Sequence, residues 1–365
     1  MPSARRRDIV KKSKPVQRDI ARVAEVSQAV VSMVVNGRAD ENGISETTQE
    51  RIRAAIRQLG YVPNVAARSL RGGRNGLIGV HTFERVFPVH ADNYFNEILI
   101  GIEEEAVELG QDLVLFASTQ GSDGTRTIYG SGSNRLKLAD GAVILGFEQN
   151  DEELRRLAGE GFSFVFVGQR DVPGVPYVTA GYRSAVEAVV GTLAEHGHRA
   201  IAYLGTSLTK NPQEERRAGF DDAMVSRGLT VTQRLICEPD ELTADWLVDL
   251  LIIGTTAIFI ENHELATALG GLAAAVGLAI PGRLSVVVLD NAPSAAAVNP
   301  WSHITVPRRE LGRRSVAVLI ELLDGRISSD HFEVVPCEPP LLTTIARPPD
   351  APALDATSGR VSQQP

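Results

Sequence analysis

Asp19-Ile20-Ala21-Arg22-Val23-Ala24-Glu25-Val26-Ser27-Gln28-Ala29-Val30-Val31-Ser32-Met33-Val34-Val35-Asn36-Gly37 holds two short apolar-periodic segments separated by a break. Ile20, Ala21, Val23 and Ala24 recur at helical spacing. Ser27 can cap a second helix whose apolar residues are Val30, Val31, Val34 and Val35. After a polar loop, Ser45 can cap a third helix, with Ile52, Ala55, Ile56 and Leu59 as its buried stripe and Gly60 as its stop. A short helix, a tight turn and a second helix have the dimensions of a helix-turn-helix. In that arrangement the first helix braces on a nucleic-acid backbone and the second presents its amino-terminal residues to base edges. A plain three-helix core would carry the same pattern, so spacing alone leaves both readings open.

Charge is distributed unevenly around this stretch. The 365 residues carry a net charge of −8, which does not suggest a polyanion binder. Residues 1–74, however, hold 15 Lys and Arg against 7 Asp and Glu, a balance of +8, and the remainder holds 22 against 38, a balance of −16. A basic head on an acidic body suits a head that meets phosphates and a body that does not. Cys237 and Cys337 have no paired spacing, which argues against a zinc finger or a disulfide framework; they read as buried or incidental thiols. The basic start lacks the apolar stretch of a secretory signal, and no run approaches the ~18 apolar residues of a membrane helix. A cytoplasmic protein is expected.

From Leu77 onward short apolar runs alternate with amphipathic segments. Strands are expected at Leu77–Val80, Leu113–Phe116, Ala142–Leu145, Phe164–Val167, Ile201–Leu204, Ala257–Ile260 and Ser285–Leu289. Helices are expected over 94–109, 182–196, 213–227, 263–277 and 308–324. This alternation implies βαβ units and parallel sheets covered by helices. The fold class read from the chain is therefore α/β: an all-α helix-turn-helix head followed by a two-lobed, doubly wound body. Open α/β sheets bind ligands at the carboxyl ends of their strands, which makes a cleft between lobes the expected site.

The stretch quoted above, with Gln49-Glu50-Arg51-Ile52, Leu59-Gly60-Tyr61-Val62-Pro63-Asn64 and Asn64-Val65-Ala66-Ala67-Arg68-Ser69-Leu70, resembles the head and hinge of the lactose-repressor (LacI/GalR) family of transcriptional regulators. That resemblance implies that Gln28 and Ala29 open a recognition helix and face bases, with Met33 at a further base-facing position. It implies phosphate contacts at Ser27, Ser32, Asn36, Ser45, Thr48 and Asn64, a hinge helix that includes Ala67, and a minor-groove wedge at Leu70. Three departures stand out. Glu25 occupies a turn position where glycine is usual, Met33 cannot donate a hydrogen bond to guanine, and the loop Arg38–Gly43 is longer than usual.

The resemblance continues more weakly to about residue 347 and implies a periplasmic-binding-protein-like effector domain. Arg216, Trp246, Asn262 and Asp290 match effector-binding positions. Carboxylate, amide and guanidinium groups read hydroxyls, and an indole offers a flat face to a sugar ring. Each has a plainer alternative: an Arg216–Asp290 ion pair, a helix cap at Asn262, core packing at Trp246. Arg170, Tyr94 and Phe95 are further candidates, with surface placement or helix packing as their alternatives. His263 stands where the family usually has aspartate.

The expected layout is a disordered basic arm over 1–15, a DNA-binding domain over 16–63, a hinge over 64–75, an effector and dimerisation domain over 76–347, and a disordered tail over 348–365. Within the body the expected lobes are about 76–178 plus 304–328 and about 179–303 plus 329–347. The expected partners are double-stranded operator DNA, a small-molecule effector of sugar type and a second copy of the chain, with no membrane. No cofactor, metal or catalytic residue is expected. A purine-responsive co-repressor, or a sugar-binding protein without DNA function, are the alternatives.

Overall fold

The computed structural model describes residues 15–61, 74–84, 94–117, 126–130, 132–147, 150–291, 300–340 and 342–349. It divides into two compact units, Met1–Asn75 and Gly76–Pro365. The hinge positions Asn64, Ala67 and Leu70, most of the amino-terminal arm and residues 350–365 lie outside the described residues.

The first unit contains α1 (Gln17–Val23), α2 (Gln28–Val35) and α3 (Glu46–Leu59). The Asp19 carboxylate accepts from the Val16 N–H at 3.0 Å, and Ser27 Oγ accepts from the Val30 N–H at 3.3 Å. Both helices thus begin with a side chain satisfying a backbone donor that has no partner within the helix. Between them Glu25 takes φ +52°, the only positive φ of a non-glycine among the described residues. The turn therefore does require the left-handed backbone that a glycine would adopt freely. Ile20, Val31 and Ile52 are fully buried and meet at the centre of the three helices, and Gly60, at φ +62°, ends α3.

Ser45 departs from expectation. It sits at the N-cap of α3, but its hydroxyl pairs with that of Thr48 at 3.0 Å rather than with a backbone N–H. The long loop before α3 is held by Gln49, which is buried. Its Nε2 donates to Asp40 Oδ1 at 2.9 Å and to the Ile44 carbonyl at 3.0 Å, while its Oε1 accepts from Arg53 at 2.9 Å. A buried amide whose donors and acceptor are satisfied fixes its surroundings.

The second unit contains two sheets in which every strand pairing is parallel. The first has the order β11 (Phe332–Val335), β5 (Tyr177–Ala180), β4 (Phe164–Val167), β3 (Gly141–Leu145), β1 (Leu77–Thr82), β2 (Asp112–Phe116). The second has the order β10 (Ser302–His303), β9 (Ser285–Val288), β8 (Ala257–Ile260), β6 (Ala200–Gly205), β7 (Thr230–Ile236). Central strands such as Gly-Ala-Val-Ile-Leu in β3 and Ala-Ile-Phe-Ile in β8 are buried along their whole length, because helices cover both faces.

On the first sheet, α4 (Asn96–Glu108) and α10 (Arg308–Leu323) cover one face through Ile98, Ile102, Val316 and Leu319. The other face is covered by α5 (Asp151–Gly159) through Leu154 and Leu157. On the second sheet, α6 (Tyr182–Glu195) and α7 (Asn211–Ser226) bury Val186, Val190 and Phe220 on one face. There α8 (Ala244–Ile252) and α9 (His263–Ala275) bury Leu247, Leu250, Leu265 and Leu269 on the other. Each such side chain contributes roughly 1.5–3 kcal/mol relative to exposure.

Among the described residues the chain passes between the lobes three times: at Gly181 between β5 and α6, between β10 and α10, and after β11. This corrects the expected lobe limits. Residues 177–180 and 332–335 form paired strands of the first sheet, with the Phe332 and Tyr177 rings stacked at 5.5 Å. Only the later segment returns to the second lobe, where Thr344 Oγ1 donates to the Val286 carbonyl at 2.7 Å. Among the described residues no helix is long and apolar enough to cross a membrane.

Candidate functional site

The head presents one polar helix end. Ser27, Gln28 and Ala29, at the start of α2, are exposed; Ser32 and Met33 are half-buried and Asn36 is exposed. Asn36 Nδ2 donates to Ser32 Oγ at 3.2 Å, which orients both groups. Backbone N–H groups in the first turn of a helix lack intrahelical partners and attract anions. The amino-terminal end of α2 therefore offers exposed donors beside a side chain, Gln28, able to both donate and accept.

The body carries a pocket at the carboxyl ends of its strands, where the lobes meet. It takes in about 450 Å³, part of it open to solvent, and Tyr94, Phe95, Phe147, Arg170, Tyr182 and Asn211 are among its walls. Tyr94, Phe95 and Phe147 form an aromatic cluster with ring centroids 4.8–5.3 Å apart. Of the residues expected from sequence, Tyr94, Phe95 and Arg170 are brought together here. Arg170 is nearly buried, donates to the Gly146 carbonyl at 3.0 Å and lies 4.0 Å over the Phe166 ring.

Tyr94 connects this pocket to a charged cluster. Its hydroxyl lies 3.0 Å from that of Tyr182. The Arg308 guanidinium sits 4.4 Å over the Tyr94 ring, and the Arg216 guanidinium 4.8 Å over the Tyr182 ring. Asp290 Oδ1 accepts from Arg308 at 2.7 Å and from the Asn291 N–H at 2.8 Å, and stands 3.6 Å from Arg216 Nη2. Arg216 and Asp290 are thus an ion pair, shared with Arg308. Burial opposes the charge on Arg216, but Asp290 and the surrounding tyrosines outweigh it and keep the guanidinium protonated. Burial also raises both phenols, most of all Tyr182, which stays a neutral hydroxyl able to donate or accept.

Sequence reading missed Tyr182 and Arg308. Both were visible only as the first residues of helices, and what makes them part of the site is that each helix starts where the chain passes between lobes. Asn262 and Trp246 are placed differently from the cluster. Asn262 Oδ1 accepts from the Leu265 N–H at 2.9 Å and caps α9. Trp246 lies in the first turn of α8, partly buried against the core of the second sheet, and its Nε1 has no acceptor. His263, beside Asn262, is nearly buried and its ring lies 6.1 Å from that of His303; burial lowers its pKa.

A separate buried network occupies the ends of β6 and β8. Glu261 accepts from Tyr203 Oη at 2.9 Å, the Thr206 N–H at 2.8 Å, and Arg217 Nε at 2.6 Å. This ties two strand ends together and had no sequence signal beyond proximity to Asn262. Among the described residues no three His, Cys, Asp or Glu side chains are grouped to hold a metal, and both cysteines are free thiols.

Residues 17–64 match the bacterial regulatory proteins of the lacI family, and residues 190–341 match the periplasmic binding protein-like domain. Catabolite control protein A of Staphylococcus xylosus is 26% identical over 325 residues, covering 87% of this chain and 95% of that protein. The HTH-type transcriptional repressor PurR of Vibrio cholerae serotype O1 is 26% identical over 346 residues, covering 87% and 96%. The crystal structure of the lac repressor dimer bound to operator and the anti-inducer ONPF shares the fold, with TM-score 0.69 and 23% identity over 92% of this chain and all of that one. A helical head of lacI type, followed by two parallel-sheet lobes of the periplasmic-binding-protein kind, makes the chain a member of the lacI family of bacterial regulatory proteins.

Proposed function

We propose that this protein is a ligand-responsive transcriptional repressor that binds a pseudo-palindromic operator as a homodimer and is released by a small polyol of sugar type. One observation carries the reading: the exposed amino-terminal end of α2, with Ser27, Gln28 and Ala29, stands on a head whose core is fully formed, in the same chain as a polar and aromatic interlobe pocket. Gln28 and Ala29 would face bases, with Met33 favouring an apolar contact such as a thymine methyl. Ser32, Asn36, Ser45, Thr48 and the hinge residue Asn64 would meet phosphates, while Ala67 and Leu70 would belong to a hinge inserted in the minor groove. In the body, Arg216, Asp290, Arg170, Tyr94 and Phe95 would hold the effector, with Asn262 and Trp246 at the second-lobe wall. A ligand that binds one lobe arrangement better than another shifts operator affinity by that difference. The protein acts in the cytoplasm, associated with the nucleoid.

Mobility shift with DNA from upstream of the protein's own coding sequence tests this. A salt-sensitive, sequence-specific complex that Gln28→Ala weakens by about tenfold or more is expected, as one lost base contact costs ~1–3 kcal/mol. Equal loss on unrelated DNA would remove Gln28 from base reading, and no complex at low salt would remove the repressor reading.

A further inference from the structure

The charged cluster that adjoins the pocket behind Tyr94 and Tyr182 holds more positive than negative charge. Asp290 is the carboxylate that faces both Arg216 and Arg308. Arg216 is 2% exposed, and its Nη2 has no hydrogen-bond acceptor; Arg308 Nε is likewise buried without one. Among the described residues neither has an ion pair with another carboxylate. On α7, Glu215 is taken by Arg183 at 3.4 Å, and Glu214 is exposed. Glu261 is committed to Arg217. In the pocket wall itself Arg170 has Asp151 and Glu84 as its charge partners, so the excess belongs to the adjoining Arg216–Arg308 cluster. The amino terminus of α7, a helix of 16 residues, adds its positive pole there, with Asn211 and Pro212 in the pocket wall.

A buried guanidinium lacking an acceptor is costly, and so is a second cation sharing one carboxylate in a site of low dielectric. A ligand anion relieves both. Guanidinium groups bind carboxylate and phosphate oxygens through charge-assisted bonds about twice as strong as neutral ones. The aromatic wall of Tyr94, Phe95 and Phe147 would take the apolar face of the same ligand. We propose, resting on the effector reading above, that the effector is an anionic polyol whose acidic group is bound by Arg308 together with Arg216, and that Arg308 sets this preference. Sugar acids and sugar phosphates share that chemistry.

Thermal stabilisation of the full-length protein at matched ionic strength tests the proposal, with inorganic phosphate, gluconate, glucose 6-phosphate and glucose as probes. Saturable stabilisation by inorganic phosphate is expected. Arg308→Gln should weaken it about tenfold, and Arg308→Lys should restore most of it, because the charge rather than the fork is retained. At least one of gluconate and glucose 6-phosphate should bind about tenfold more tightly than glucose, and the better of the two identifies carboxylate or phosphate as the group read. Phosphate stabilisation unchanged in Arg308→Gln would overturn the proposal, since that anion would then sit elsewhere, the head included. Glucose binding as tightly as both acids would also overturn it. Operator binding by the same Arg308→Gln sample establishes that it is folded. Wild-type protein that binds operator but shows no anion preference loses only this proposal, whereas wild-type protein that binds no DNA loses the repressor reading itself.

Discussion

Glu25 shows how a single position carries both strain and information. At φ +52° it adopts a conformation that an L side chain pays for, by ~1–2 kcal/mol per residue. Its neighbours Ala24 and Val26 are held in the head core, so the turn cannot relax without loosening the contact of α1 with α2. Glu25→Gly should therefore stabilise the head by about 1 kcal/mol, less the entropy glycine adds to the unfolded chain. Chemical denaturation followed by a probe in the head would measure it, and a destabilised variant would mean that the Glu25 side chain contributes something the backbone does not reveal. Glu25 was legible beforehand as an oddity, because the motif around it fixes the turn. Arg308 was not. Nothing in Val-Pro-Arg-Arg-Glu-Leu-Gly says that the first arginine faces Asp290 across a lobe junction while the second faces outward to Glu104.

At the scale of elements, most strands legible in the sequence were those buried on both faces, such as β4 and β8, where an unbroken apolar run leaves one reading; the edge strand β2 was legible through the apolar run Leu-Val-Leu-Phe although it is partly exposed. The missed strands are β5, β7, β10 and β11. Strands β7, β10 and β11 lie at sheet edges; β7 is largely exposed, and β11 exposes Phe332 and Val334 and buries only Val335, so neither carries the apolar run of a central strand. Helix α8 was missed for the opposite reason: Ala-Asp-Trp-Leu-Val-Asp-Leu-Leu-Ile is too apolar to show helical periodicity. The α4–α10 pairing was invisible for a further reason, since it depends on two glycines far apart in sequence. A Cβ on Gly101 would overlap the Arg309 carbonyl oxygen, and one on Gly312 would overlap the Ile98 carbonyl oxygen. Both obstacles are backbone, which cannot rotate away. Gly101→Ala and Gly312→Ala should each cost about 2–3 kcal/mol or more, at the upper end of overpacking, whereas Gly271→Ala on α9, with open space at its Cβ, should be neutral or better. Equal melting temperatures for the three variants would show that the two helices are not locked.

At the scale of the molecule, stability should depend on pH through two buried imidazoles. His198 lies at the joint between α6 and β6, where its Nε2 donates to the Ala346 carbonyl at 2.8 Å and its Nδ1 lies 2.8 Å from the Thr256 hydroxyl. Burial lowers its pKa to about 4, and burial on β1 lowers that of His81 to about 4. Between pH 4 and the unfolded value of about 6.5 the unfolded chain binds more protons than the folded one. The contribution of the two neutral imidazoles is therefore fully present above pH 6.5, falls as the pH drops toward 4, and is level below that. Each histidine accounts for about 3 kcal/mol of the fall. Denaturation midpoints at pH 7.5, 5.5 and 4.5 would trace it, and His198→Gln should flatten the curve. An unchanged slope in that variant would assign the effect elsewhere.

The junction of α4 and α10 has a mechanical consequence. Both helices begin beside the pocket, one directly after Tyr94 and Phe95, the other with Arg308, which lies over the Tyr94 ring. One turn further on, their backbones are in contact at Gly101 and Gly312, with no side chain between them to act as a cushion. A pull on Arg308 cannot be absorbed as slippage between the pair. It must move them together, as a single stiff lever with its short arm in the pocket.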